Sequence, residues 1–123
     1  MGYRIKIDKA AVNRILAQAR TAAEQTAHAV RTDVQDAGVV PFETGTLQNT
    51  SFVENREKKK GLFRLVYNTP YARRLYWHPE YDFRTDKNPN ARSEWLEAWL
   101  TGEKKDFAHK TFVALFRRRL KGR

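Results

Sequence analysis

The sequence contains no cysteine. Disulfides, thiol catalysis and cysteine-ligated zinc are therefore excluded, and the chain fits a reducing compartment. No apolar run approaches the roughly 18 residues of a membrane span, so an integral membrane protein is not expected. The stretch MGYRIKIDKAAVNRI has no apolar core of signal type, and a cleaved secretory leader is not expected. There is no glycine-rich phosphate loop, and neither Ser51 nor Ser93 sits in a nucleophile elbow. No internal repeat stands out. Acidic residues are the scarcer charge, 14 against 24 Lys plus Arg, which leaves +10. With 41% hydrophobic and 12% aromatic residues, the chain is too apolar to be wholly disordered. Its 123 residues support one domain spanning 1–123, with one modest core.

The positive charge is placed unevenly. From Lys104 to Arg123 there are eight basic residues and one acid, Asp106, so +7 of the +10 lies in the last 20 positions. Residues 116–123 read as a basic tail. Arg117, Arg118, Arg119, Lys121 and Arg123 form a possible partner-contact patch, suited to phosphate or to an acidic protein surface. The plainer reading is a solvated helix end that complements the helix dipole.

Tyr3, Ile5 and Ile7 alternate with Arg4 and Lys6, which suggests an edge strand or an ordered arm. Asp8 is a good N-cap. From Lys9 to Ala37 the period changes: Val12, Ile15, Leu16, Ala19, Ala22, Ala23, Thr26, Val30 and Val34 recur three or four apart. This predicts an amphipathic helix of about 40 Å, closed by Gly38, with Pro41 following. Residues 51–57 and 62–68 read as two strands of a hairpin around Lys58-Lys59-Lys60-Gly61. Thr69-Pro70 predicts the cap and first position of a short helix, Tyr71 to Trp77, stopped by Pro79. Residues 80–92 are polar and turn-rich. Ser93 is placed to cap a helix from Glu94 to Leu100, and a last helix is expected from about Glu103 to Leu120. This order predicts an α+β fold, with a long N-terminal helix and a C-terminal helix packed on a small antiparallel sheet with a β-hairpin.

The chemistry such residues could support is limited. His78, Glu80 and Asp82 could in principle hold a divalent metal, but neither His28 nor His109 supplies a second imidazole at ligand spacing. A turn in which His78 and Glu80 bond to backbone is the better reading. Tyr67, Tyr71, Tyr76, Trp77, Tyr81, Phe83, Trp95 and Trp99, interleaved with Arg73, Arg74, Arg84 and Arg92, could stack single-stranded bases. A satellite core or a protein interface rich in Tyr, Trp and Arg fits them better. No zinc finger, helix-turn-helix or RNA-recognition signature is present.

Three segments carry a resemblance. The first is Val40-Pro41-Phe42-Glu43-Thr44-Gly45-Thr46-Leu47, followed by Thr50 and Ser51. The second is Tyr67-Asn68-Thr69-Pro70-Tyr71-Ala72-Arg73-Arg74-Leu75-Tyr76, running into His78-Pro79-Glu80-Tyr81. The third is Lys87-Asn88-Pro89-Asn90-Ala91, then Trp95, Trp99 and Gly102-Glu103-Lys104-Lys105-Asp106. Together they resemble the minor capsid protein family of tailed bacteriophages and prophages, within the wider group of head–tail joining and tail-completion proteins. The resemblance implies a structural virion protein of the neck, made in the host cytoplasm, with no enzymatic activity and no cofactor. It implies a homo-oligomeric ring, commonly a hexamer, between a head-closing stopper or adaptor protein and the tail terminator or tail tube. DNA would pass through such a ring without sequence-specific recognition, and no membrane is involved. Thr44, Gly45 and Leu47 match the family's threonine-glycine segment, and Tyr71 and Ala72 match its tyrosine-alanine helix. Gly45 would permit a turn, Leu47 anchor the core and Ala72 allow close packing, while Tyr76 and Trp77 extend the interface motif. The family's acidic residue and glycine after that helix are replaced here by His78-Pro79-Glu80, so no detail of that loop transfers. The long loop 81–92 is expected to reach a neighbouring subunit, or else to lie on the surface. Two rival readings remain: a small basic nucleic-acid-binding module using the C-terminal Arg/Lys-rich helix, and a metal-dependent nuclease using His78, Glu80 and Asp82.

Overall fold

The computed structural model describes residues 2–41, 46–81, 83 and 85–122. Helix α1, Lys9–Asp36, starts at its predicted cap. Asp8 is extended (φ −77°, ψ 97°), and its carboxylate accepts the Ala11 N–H at 3.1 Å. That bond satisfies one of the donors that a helix start leaves open. Asp8→Ala is expected to lower stability by about 1 kcal/mol, read from the midpoint of urea unfolding.

At the other end Gly38 adopts φ +64°, the left-handed position that closes many helices, and its N–H bonds to the Gln35 carbonyl at 3.1 Å. A Cβ at this position would lie 3.1 Å from Pro89 Cδ. Both dihedral and space therefore favour glycine. Gly38→Ala is expected to cost about 1–2 kcal/mol, measured in the same unfolding experiment.

Helix α5, Phe107–Lys121, packs along α1. Lys104, just before α5, meets Asp33 near the end of α1, while Arg119, near the end of α5, meets Gln18. The two helices are therefore antiparallel. The small side chains of the α1 stripe allow this approach: Ala22 and Thr26 are buried, and Thr26 returns its hydroxyl proton to the Ala22 carbonyl at 2.7 Å.

After a short helical turn, α2 (Thr46–Asn49), strand β1 (Phe52–Glu54) pairs antiparallel with β2 (Arg64–Val66). The register sets Phe52 opposite Val66, Val53 opposite Leu65 and Glu54 opposite Arg64. The lysine triplet forms a 3-10 turn at the tip, Lys58–Lys60, and Gly61 leaves it at φ +72°. Helix α1 covers one face of the sheet. This is the α+β arrangement expected: long N- and C-terminal helices with a small two-stranded antiparallel sheet.

Several local expectations are corrected. Residues 3–7 pair with no strand among the described residues. Helix α3 is Ala72–Trp77, and its N-cap is Tyr71 rather than Thr69. Thr69 contributes its carbonyl to the Ala72 N–H, while its hydroxyl is buried without a partner among the described residues. The helix expected from Glu94 shrinks to α4, Glu97–Leu100. Glu94 sits at φ 47°, which no right-handed helix admits, and its N–H bonds to the Tyr76 carbonyl at 2.8 Å. That turn delivers Trp95 to the core. Helix α5 begins at Phe107 rather than Glu103, because residues 101–106 form turns against α4.

The core is small: Val34, Val40, Leu47, Ala72 and Trp95, with Val30, Val39, Tyr67, Leu75, Tyr76, Leu96 and Trp99 packed around it. Each large side chain buried there contributes about 1.5–3 kcal/mol. Trp95 is central, with Tyr67 and Tyr76 meeting its ring edge-to-face at 5.6 and 4.8 Å.

Candidate functional site

The residues singled out by the motifs divide into two sets. Leu47 is 2% exposed, and Ala72 is buried in the same core cluster. Tyr76 is half-buried against Trp95. Tyr71 and Trp77 instead face outward, Trp77 at 60% exposure, and the Trp77 ring meets Tyr76 edge-to-face at 4.9 Å. One helix turn thus sends Ala72 and Tyr76 inward and leaves Trp77 on the surface. Thr44 and Gly45 lie outside the described residues.

The basic end divides as well. Arg117, Arg118 and Lys121 are exposed, and no carboxylate pairs with them among the described residues. Arg119 is half-buried and donates from Nε to Gln18 Oε1 at 2.7 Å, so it ties α5 to α1. Arg123 lies outside the described residues. Arg118, Arg119 and Lys121 occupy the last turn of α5, where cations offset the open carbonyl end.

At the candidate metal triad, His78 Nδ1 lies 2.6 Å from Glu80 Oε2, and the imidazole stacks on Tyr81 at 4.9 Å. The hydrogen bond from His78 holds the Glu80 carboxyl below its ordinary range. Asp82 and Arg84 lie outside the described residues. Among the described residues no group of three His, Cys, Asp or Glu is arranged to hold a metal ion. No helix of the described residues is long and apolar enough to cross a membrane.

The loop 81–92 does not swing free over its second half. Asn88 is buried, and its Nδ2 donates to the Val40 carbonyl at 2.7 Å and to Gln48 Oε1 at 2.9 Å. Asn90 and Arg92 donate their backbone N–H groups to Gly38 and Val39 at 3.0 Å each. Asn90 Nδ2 also reaches the Ala37 carbonyl at 2.9 Å. Residues 88–92 are therefore a clasp over the chain leaving α1. A second junction was likewise not expected. Asp33 accepts from Trp99 Nε1 at 2.9 Å and from Lys104 Nζ at 3.2 Å, and the ammonium lies 4.9 Å from the Trp99 ring centroid. These contacts fasten α4 and the following turn to α1.

Comparison of the chain with protein-family models, with curated proteins and with solved structures found no match.

Away from these junctions the molecule carries exposed apolar side chains. Tyr3, Ile5 and Ile7 are 93%, 85% and 69% exposed, and Val12, Ile15, Leu16, Phe52, Leu62, Trp77 and Leu100 also lie open. They occupy the segment before α1, the first turns of α1, the outer sheet face and the two short helices. Single exposed apolar residues are ordinary, but contiguous ones mark interaction surfaces. The polar cluster at the hairpin is already occupied by its own charges: Glu54 pairs with Arg56 at 2.8 Å and Arg64 at 2.9 Å, and Arg64 also pairs with Glu57 at 2.7 Å. The Arg56 hydrogen bond, with help from Arg64, keeps the Glu54 carboxyl below its usual range despite some desolvation.

Tyr67 carries the largest titration shift, with burial pushing its hydroxyl up to about 12. The folded value is above the unfolded one near 10, so its contribution is intact below about pH 10. Between about pH 10 and 12 the unfolded chain gives up this proton while the folded chain keeps it, and stability falls. Tyr67→Phe is expected to flatten that part of the stability–pH curve, as followed by denaturant unfolding.

Proposed function

We propose that this chain is a structural virion protein of a tailed phage, a ring-forming connector that joins the head-closing neck protein to the tail. The observation that carries the reading is the distribution of exposed apolar side chains over several sides of a small fold with a slight core. A ring subunit needs surfaces for two neighbours and for proteins above and below. Heterologous contacts between identical copies close into a ring when their rotation permits it. Tyr71, Trp77 and Leu100 supply apolar contact area away from the α1–α5 pair, and residues 3–16 supply more. The motif resemblance in the residues around Leu47, Ala72 and Trp95 supports the same assignment. In this reading the exposed Arg117, Arg118 and Lys121 meet an acidic partner ring or solvent rather than the DNA channel, where phosphate binding would hinder passage.

The test is mass in solution by light scattering, for the protein alone and mixed with the candidate head-closing and tail proteins. A closed ring, about six times 14.4 kDa, is the expected result. Monomers in every mixture would sink the assignment.

Arg117, Arg118 and Lys121, exposed and without a carboxylate partner among the described residues, favour a second reading, a small nucleic-acid-binding module. It requires DNA or RNA affinity that drops steeply as salt rises. Salt-independent or absent binding would remove it.

A further inference from the structure

Residues 3–7 look like a strand without a sheet, and the β1–β2 pair is a sheet short of strands. The arm alternates three large apolar side chains with Arg4 and Lys6, and those three are among the most exposed in the molecule. The sheet has two strands of three residues each, and among the described residues no further strand pairs with either outer edge. Such a pair is marginal alone, and its edges present unpaired N–H and C=O groups. Helix α1 covers the side carrying Phe63. Phe52 and Leu62 lie open on the other, with Val66 directly across from Phe52.

The arm is too short to run along β1 of its own sheet. Asn55, just past β1, bonds to Glu24, and Ser51, just before it, bonds to Arg31. The nearer of these levels, Glu24, is about 24 Å along α1 from Asp8. Residues 3–7 reach at most about 18 Å from Asp8 when fully extended. The tip therefore falls short of the nearer end of β1, and pairing along the strand needs more chain still. A second copy has no such limit, because its α1 can lie in any position relative to the first copy's sheet.

We propose that residues 3–7 of one copy add as a third strand to the β1–β2 sheet of a neighbouring copy. Backbone hydrogen bonds to a free edge supply the pairing. Tyr3, Ile5 and Ile7, all on one side of the added strand, would lie beside Phe52 and Val66 on the side that also carries the Glu54–Arg64 pair. Arg4 and Lys6 then point to the opposite side. The same contact brings Val12, Ile15 and Leu16 of the donor's α1 toward the acceptor, so the exposed first turns of that helix gain cover. Donor and acceptor surfaces differ, so the contact is heterologous and propagates from copy to copy. This inference rests on the ring assembly proposed above, for which it names the subunit contact.

The absence of native cysteine makes a direct test clean. Two double variants, Ile5→Cys with Phe52→Cys and Ile5→Cys with Val66→Cys, report on the β1 and β2 edges respectively. Each is oxidised at millimolar protein concentration and run on a non-reducing gel beside its single variants. The expected result is a ladder of linked copies from one double variant, where the single variants stop at dimers. Ile5→Asp with Ile7→Asp, in the cysteine-free chain, is expected to weaken self-association at least tenfold by light scattering, with helix content unchanged by circular dichroism. Assembly that survives the aspartates, with no ladder, would overturn the arm exchange and leave the connector reading standing. A link formed within one copy, or a chain that stays monomeric at that concentration, would also overturn it. A ladder from an assembly that never closes would keep the arm contact and sink the ring.

Discussion

Trp95→Ala is expected to lower the unfolding free energy by about 3–5 kcal/mol, the range for removing a large buried aromatic. Trp95 is 2% exposed and touches the sheet-end Tyr67, the α3 residue Tyr76 and the core at once. Its removal leaves a cavity that three differently anchored elements would have to fill. For a core of five buried residues the loss is a large share of the total. Trp95→Phe separates packing from hydrogen bonding. The indole N–H has no partner among the described residues, so deleting it sacrifices no bond. Phenylalanine retains an aromatic edge for both tyrosines, and its cost is expected to be less than half that of alanine. Denaturant unfolding of the three proteins measures both. Equal losses for Phe and Ala would mean that an aromatic edge alone does not hold these elements and the full indole shape is needed.

Asn88→Ala is expected to cost about 2–4 kcal/mol, although the residue lies in a polar loop. Its amide feeds two acceptors, the Val40 carbonyl and Gln48 Oε1, in a buried place. Truncation leaves both without this donor, and a buried group stripped of its bond costs more than the bond itself was worth. Asn88→Asp is expected to be worse at neutral pH, since a carboxylate would face two oxygen acceptors. It should recover in part on acidification, when the carboxyl can donate one hydrogen bond. Urea midpoints at neutral and acid pH, each compared with the parent chain, test the pair. A cost near zero for Asn88→Ala would mean that the clasp adds little to the closure of α1.

The difference between these two residues explains what the sequence could reveal. Helix α1 was legible because 28 residues repeat one apolar period and end at a glycine that must turn left-handed. The hairpin was legible from β-prone residues on either side of a lysine turn with Gly61. Leu47 and Ala72 were singled out by motif, and both lie in the buried core. Asn88 was not legible, since Lys87-Asn88-Pro89-Asn90 has the composition of a solvated turn. Only the contacts of residues forty positions or more away bury it. The start at Glu94 failed for a related reason. Trp95, Leu96, Trp99 and Leu100 have helical spacing, but the demand to bury Trp95 bends the backbone at Glu94 first. Asp33 gave no sign of its two donors, which come from the far end of the chain. The candidate site was legible only as an inventory of residues. Tyr71 and Trp77 share a motif with Ala72 and Tyr76, and nothing in the spacing alone separates the outward pair from the inward one.

Helix α1 has one further consequence. None of its residues before Ala22 is buried, while Ala22, Thr26 and Val34 lie in the interior. Deuterium should therefore enter its backbone by two clocks. Amides near residues 12–17 exchange through fraying of a few turns, and those near 26–34 wait for the whole core to open. A single continuous helix thus reports local and global opening side by side. Burial of its first turns by another molecule would slow the fast clock and leave the slow one nearly unchanged, so isotope uptake along one helix distinguishes a docked subunit from a merely stabilised one.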